Sequence, residues 1–208
     1  MADLLEAISG TLFTPASTFR RLLEERTSLT IAATIVLIAC ICSGIGTLLT
    51  QSTVMSLFTE FSGFEPVAPD FDAMTISTIT SMTSSVVGGF ISWVFFAGIC
   101  HIVAKLLGGK GTFTEMLVLM GFASLPNIFQ APIGLIAMLS GGLTGAFIAI
   151  VLGSFLAIWV LILDVLAIRE AQKFSTGRAI ATFVLPIVVL AVLVFILIFI
   201  GLFLISGL

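Results

Sequence analysis

The stretch AIATFVLPIVVLAVLVFILIFIGLFLI, residues 179–205, contains no charged side chain and no amide side chain, and its length decides the class of fold. A hydrocarbon core about 30 Å thick is crossed by roughly 20 helical residues. The run is long enough to span it, and it lacks the in-out polar alternation of a barrel strand. A helix also satisfies its own backbone where no water can, so the stretch reads as a transmembrane helix.

Working outward, four more runs have the same character: from about Thr30 to Thr50, Ile76 to Leu107, Thr114 to Leu139, and Leu143 to Ile168. Composition agrees. The hydrophobic fraction is 59% and the charged fraction 9%, with mean hydropathy +1.30, against roughly 45–50% apolar and about 25% charged in soluble domains. A water-soluble fold is excluded. The expected fold is all-α, a polytopic membrane bundle of five transmembrane helices in one compact unit. Residues 1–28 form a cytoplasmic amphipathic segment before a membrane domain at 29–208. Asp3 and Glu6 precede any basic residue and no cleavage site follows a short apolar core, so the amino terminus does not read as a signal peptide.

The basic residues set the orientation. Arg20, Arg21 and Arg26 precede the first span, Lys105 and Lys110 flank the second-to-third turn, and Arg169, Lys173 and Arg178 surround the fourth-to-fifth turn; these are all 8 Lys and Arg residues. Alternate connections place every one on the same side. The loop between the first two spans carries Glu60, Glu65, Asp70 and Asp72 without a Lys or Arg. Positive charge is retained in the cytoplasm, which gives a cytoplasmic amino terminus and an external or luminal carboxyl terminus.

Local signals refine the boundaries. Thr112 and Glu115 have capping-box spacing at the start of the third span, and Ser175 and Thr176 are candidate N-caps for the fifth. Thr14 and Pro15 read as N-cap and N1 of a short helix through about Glu25, with Phe19, Leu22 and Leu23 on its apolar side. It is expected to lie on the cytoplasmic membrane face. A weaker amphipathic helix covers Leu4, Leu5, Ile8 and Leu12, interrupted in propensity by Gly10. Residues Gln51 to Met74 read as a long polar connection, with Gly63, Pro66 and Pro69 breaking helical pattern.

Three groups of polar residues stand out in the apolar spans. Ser124, Pro126, Asn127, Gln130 and Pro132 interrupt the third span, either as a broken helix lining a polar cavity or as a kink repaired by neighbours, the second being favoured. His101 and Lys105 share a face of the second span and Asp164 lies near the cytoplasmic end of the fourth. A carboxylate at bilayer depth costs about 2.5–3.5 kcal/mol on insertion scales, so a pair between Asp164 and His101 or Lys105 is expected. It would serve as an ion or headgroup site or, more simply, as a structural ion pair. The hydroxyls from Thr75 to Ser85, followed by Gly88 and Gly89, read as a packing seam; Gly44, Gly46, Gly141, Gly142 and Gly153 suggest other close contacts.

No nucleophile–base constellation is present: the chain has 1 His and no Tyr, and lacks GxSxG and HExxH motifs. GGKG at residues 108–111 lacks the Walker spacing. Cys40, Cys42 and Cys100 lie inside apolar runs without metal-ligand spacing. Neither catalytic residues, a metal site nor a cofactor is expected.

Three segments carry a resemblance: TPASTFRRL from Thr14, GGKGTFTEMLVLMGFASLP from Gly108 to Pro126, and IWVLILDVLAIREAQKFSTGRAIATFVLP from Ile158 to Pro186. In order and topology the chain resembles the Yip family, the Ypt-interacting proteins. GFASLP stands at the family's Gly-Tyr-Ser...Pro signature, with Phe122 in place of the tyrosine. The DLYGP motif of eukaryotic members is missing, so the resemblance points to the prokaryotic branch and a cytoplasmic membrane. Eukaryotic relatives act in vesicle traffic and bind prenylated Rab GTPases. For the prokaryotic branch the resemblance implies a fold and a location; the charge gathered on the cytoplasmic face suggests a non-enzymatic protein that organises membrane or recruits partners, and the broken third span with Asp164, His101 and Lys105 supports a small-solute or ion transporter or channel as the alternative. Arg20, Arg21, Arg26, Lys110, Arg169, Lys173 and Arg178 are the candidate contacts with anionic headgroups. Expected partners are membrane lipids, with a homodimer and a cytoplasmic protein as further candidates and no nucleic acid.

Overall fold

The computed structural model describes residues 2–63 and 71–206, and its regular structure there is entirely helical. Five helical runs are long and apolar enough to cross a membrane: Leu29–Thr59, Thr75–Leu106, Phe113–Ser140, Gly142–Gln172 and Thr176–Ile200. The chain is therefore an integral, multi-pass membrane protein by length and composition of its helices.

Two short helices, α1 (Ala2–Phe13) and α2 (Pro15–Glu24), precede the first span. Pro15 opens α2 at a position where its missing N–H is not needed. Thr14 does not cap through its side chain, because its hydroxyl donates backward to Gly10 O at 3.3 Å. The first span, α3 (Leu29–Ser62), begins at Ser28, whose side chain accepts from Thr30 N. It continues well past the expected end near Thr50. Hydroxyls in its carboxyl-terminal half return their hydrogen bonds to their own helix, Thr59 to Met55 O at 3.0 Å and Ser62 to Phe58 O at 2.6 Å, so polar residues there need no loop. Gly63 ends α3 in the left-handed conformation at φ 65°. Much of the expected polar connection is thus helix; Glu65, Pro66, Pro69 and Asp70 lie outside the described residues.

The second span is α4 (Phe71–Thr83), a π-helical turn at Ser84–Gly88, and α5 (Gly89–Leu106). Ser85 donates to Cys40 O on α3 at 3.1 Å, and a Cβ on Gly89 would come 2.6 Å from Cys40 Sγ. That is where the expected seam forms. Thr75 to Thr80 are exposed instead, while Met82 and Ser85 lie against Gly44 of α3.

The third span is broken as its prolines require: α6 (Phe113–Ala123), a 3-10 turn at Leu125–Phe129, then α7 (Gln130–Ser140). Its start carries the full capping box, with Thr112 N donating to Glu115 Oε2 at 2.6 Å and Glu115 N to Thr112 Oγ1 at 3.2 Å. At the break, Ser124 N and Ser124 Oγ both donate to Gly121 O. Small residues bring α7 against its neighbours: a Cβ on Gly134 would lie 2.7 Å from Gly46 O of α3. Gly153, expected at a close contact, has nothing within 4 Å of where its Cβ would be.

The fourth span, α8 (Gly142–Gln172), runs one turn beyond its expected end, and the fifth is α9 (Thr176–Ser206). Helix α3 is central, packing on α6, α7 and α8, while α9 lies against α5 and α8. The main core sits toward the end that carries the basic residues, built from Ala32, Cys100, Met116, Leu119, Phe122, Leu163 and Ile168. Only the first turns of α9 join it, through Ala179 and Phe183; every residue from Ile187 to Ile200 is exposed.

Candidate functional site

At the basic end, α1 and α2 fold back on each other and dock on the bundle. Phe19 is fully buried and Leu22 nearly so, both within the main core, because α2 packs on α6 and α8. α2 is therefore an element of the bundle, where the sequence suggested a helix lying on the membrane face. α1 reaches α6 and the 3-10 turn of the third span. Its inward face is Ala7 and Thr11, and Thr18 packs beneath Gly10; of the expected apolar face, Ile8 and Leu12 pack against the core while Leu4 and Leu5 point outward.

Three of the arginines here are engaged in ion pairs. Arg20 Nε donates to Glu170 Oε2 at 2.8 Å, and Arg169 donates to Glu170 Oε1 through Nε and Nη2 at 2.9 and 2.7 Å. The hydrogen bond from Arg20 and the charge of Glu170 hold the Arg20 guanidinium above its ordinary value. Arg21 pairs with Glu6 and faces Glu25. Arg26, Lys110, Lys173 and Arg178 are exposed and carry no ion pair among the described residues. The face is a mosaic of both signs, because acids of α1, α2 and α8 lie beside its cations.

Gln172 organises the turns at this end. It is fully buried; its Oε1 accepts from Gly111 N at 3.2 Å, its backbone O accepts from Lys110 N at 3.3 Å, and its Nε2 lies 3.1 Å from His101 Nδ1. The GGKG segment is shaped for this contact: a Cβ on Gly111 would lie 2.7 Å from the Ala171 carbonyl carbon. Lys105 Nζ turns to Gly109 O at 3.2 Å. His101 and Lys105 are thus occupied by the turn, and neither pairs with Asp164. Sequence reasoning missed Gln172 and Glu170. The available signal was one amide and one carboxylate at the end of an otherwise apolar span.

Asp164 belongs to a different place, a cavity of about 360 Å³ between α3, α5, α6 and α8. Ser124 and Asn127 of the broken third span line it together with Asp164, as do Ser43, Ser85 and Ser92. Gln130 sits instead against α3 near Gly46, and buried Pro126 fixes the break. Trp93 and Phe96 supply aromatic wall. The indole N–H of Trp93 is buried without a hydrogen-bond partner, and Asp164 has neither an ion pair nor a hydrogen bond among the described residues. Both irregular turns, the π-helical one at Ser84–Gly88 and the 3-10 one at Leu125–Phe129, contribute residues to this cavity.

Comparison with known proteins agrees with this architecture. A Yip1 domain model matches residues 9–208. The chain belongs to the Yip1 domain family. The chain is similar to an uncharacterized protein of Methanocaldococcus jannaschii, 27% identical over 132 residues, 63% of this chain and 84% of the relative. That similarity is in keeping with the prokaryotic branch of the Yip1 family. No solved structure matches the chain.

Proposed function

We propose that this Yip1-domain protein is a non-enzymatic membrane protein that organises membrane or recruits a partner through its cytoplasmic end, with its amino terminus inside and its carboxyl terminus outside. The observation that carries this reading is the docked α1–α2 hairpin. Phe19 anchors it, while Leu5 and Phe13 remain 69% and 81% exposed on its outer side. Large apolar side chains presented on a fixed element are suited to insertion into the inner leaflet or to a protein partner. The mixed charge around them favours specific pairing over simple attraction to anionic lipid.

The test is reconstitution in sealed liposomes with increasing protein-to-lipid ratio, imaged for vesicle size and curvature. A protein-dependent change in shape, reduced by the double substitution Leu5→Glu with Phe13→Glu, is expected. Unchanged vesicles at every ratio would count against membrane organisation. Impermeant thiol labelling of single-cysteine variants at Lys110 and Gly63 tests orientation, with Lys110 reacting only from the inside.

A second reading, passage of a small solute or ion, is supported by Asn127 and Asp164 lining one cavity. The same liposomes distinguish it: a solute flux abolished by Asp164→Asn or Asn127→Ala would replace the first reading.

A further inference from the structure

We propose that the cavity beside the break in the third span is a binding site for a small organic ammonium compound, held by Asp164 against the rings of Trp93 and Phe96. The site stands whether or not the bound compound crosses the membrane, and it is independent of the hairpin.

A carboxyl group in a low-dielectric interior either takes up a proton or finds a compensating partner, which membrane-embedded acids ordinarily do on a neighbouring helix. Asp164 does not: the basic groups nearest in sequence logic, His101 and Lys105, are bound to Gln172 and Gly109. No Lys, Arg or His lines the cavity. An anion such as a lipid phosphate would meet the Asp164 carboxylate with no cationic side chain in the lining to offset it, and is disfavoured. A cation meets an opposite charge with no competitor.

The walls then narrow the cation. Aromatic faces attract organic ammonium groups through their quadrupoles, and both Trp93 and Phe96 line the space. Phe90 stacks edge-on against Trp93 at 5.3 Å and Phe96 against Phe183 at 5.4 Å, which fixes the two rings. The Trp93 N–H is itself sealed off from the space, so the ring and not its N–H is what the cavity presents. Ser85 and Ser124 spend their hydroxyl protons on Cys40 O and Gly121 O, leaving oxygen lone pairs that can accept from an ammonium N–H. A cavity of about 360 Å³ limits the compound to a small one.

Tyramine, an aromatic primary amine with a hydroxyl, is the probe, with 4-ethylphenol as its uncharged counterpart and sodium chloride as the metal-cation control. Radiolabelled tyramine is dialysed against the full chain in nanodiscs. Saturable binding is expected, weakened about tenfold or more by Asp164→Asn as the charge is removed, and weakened less by Trp93→Phe, which keeps a ring and deletes the N–H. Absence of saturable binding by folded native protein overturns the proposal. So does equal affinity for 4-ethylphenol, unchanged affinity in a folded Asp164→Asn variant, or displacement of tyramine by sodium at equimolar concentration. If Asp164→Asn fails to fold, the comparison of tyramine with 4-ethylphenol on the native chain decides.

Discussion

Arg20 of α2 and Glu170 of α8 meet at 2.8 Å across the basic end of the bundle, yet Phe19 is what holds α2 in place. The Arg20 side chain is 66% exposed, and an ion pair with such a partner contributes little in water. Phe19 by contrast is fully buried in the main core. Phe19→Ala should destabilise by about 3–5 kcal/mol and open Arg20, Arg21 and Arg26 to trypsin. Arg20→Ala should leave both the melting temperature and the digestion pattern close to native. Thermal unfolding in detergent with limited trypsin digestion checks both.

Gln172 closes the basic-end turns through a side chain that no solvent reaches. Gln172→Leu keeps the volume but strands Gly111 N and the ring nitrogen of His101. Losing a buried hydrogen-bond partner costs about 1–3 kcal/mol. The variant should unfold at lower temperature, and hydrogen exchange at the Gly111 amide should accelerate while the amides of α7 stay protected. Equal exchange at both would mean that Gln172 does not act locally.

Glycine substitutions separate packing from composition. Gly111→Ala drives a methyl group into the Ala171 backbone, and Gly134→Ala drives one into Gly46, with backbone on the far side in each case. Neither neighbour can swing away, so each change should cost about 1–3 kcal/mol, as overpacking does. Gly153→Ala meets nothing within 4 Å and gains helix propensity, so it should be neutral or slightly stabilising. Melting temperatures of the three single variants make the comparison.

The spans were legible because lipid imposes one requirement, a long run without charge, and residues 179–205 meet it without ambiguity. The break at Pro126 and the capping box at Thr112 were legible for the same reason, since each is set by its own residues and immediate neighbours. Pairing between helices was not. His101, Lys105 and Asp164 are the ionisable groups that hydropathy singles out, and matching opposite charges was the natural reading. The turn at Gly108–Gly111 and the buried Gln172 compete for His101 and Lys105 locally, and no spacing in the sequence reveals that competition. Helix α2 shows the same limit: Phe19 and Leu22 make an apolar face, and the sequence does not say that α6 and α8 cover it.

The carboxyl-terminal part of α9 differs from its first turns. Phe183 is buried against Phe96, whereas Val189, Leu193 and Leu197 are all exposed on a stretch where no face is covered. In lipid, such side chains exchange one hydrocarbon environment for another on folding, so there is little burial to lose. Val189→Ala, Leu193→Ala and Leu197→Ala should each change unfolding by less than about 0.5 kcal/mol, the range of substitutions outside packed regions. Phe183→Ala should cost several times more, because it leaves a hole beside Phe96. Steric-trapping or denaturant unfolding of the reconstituted protein measures the series. A large loss at Leu193 or Leu197 that depends on protein concentration would mean that a second copy covers this helix in the membrane.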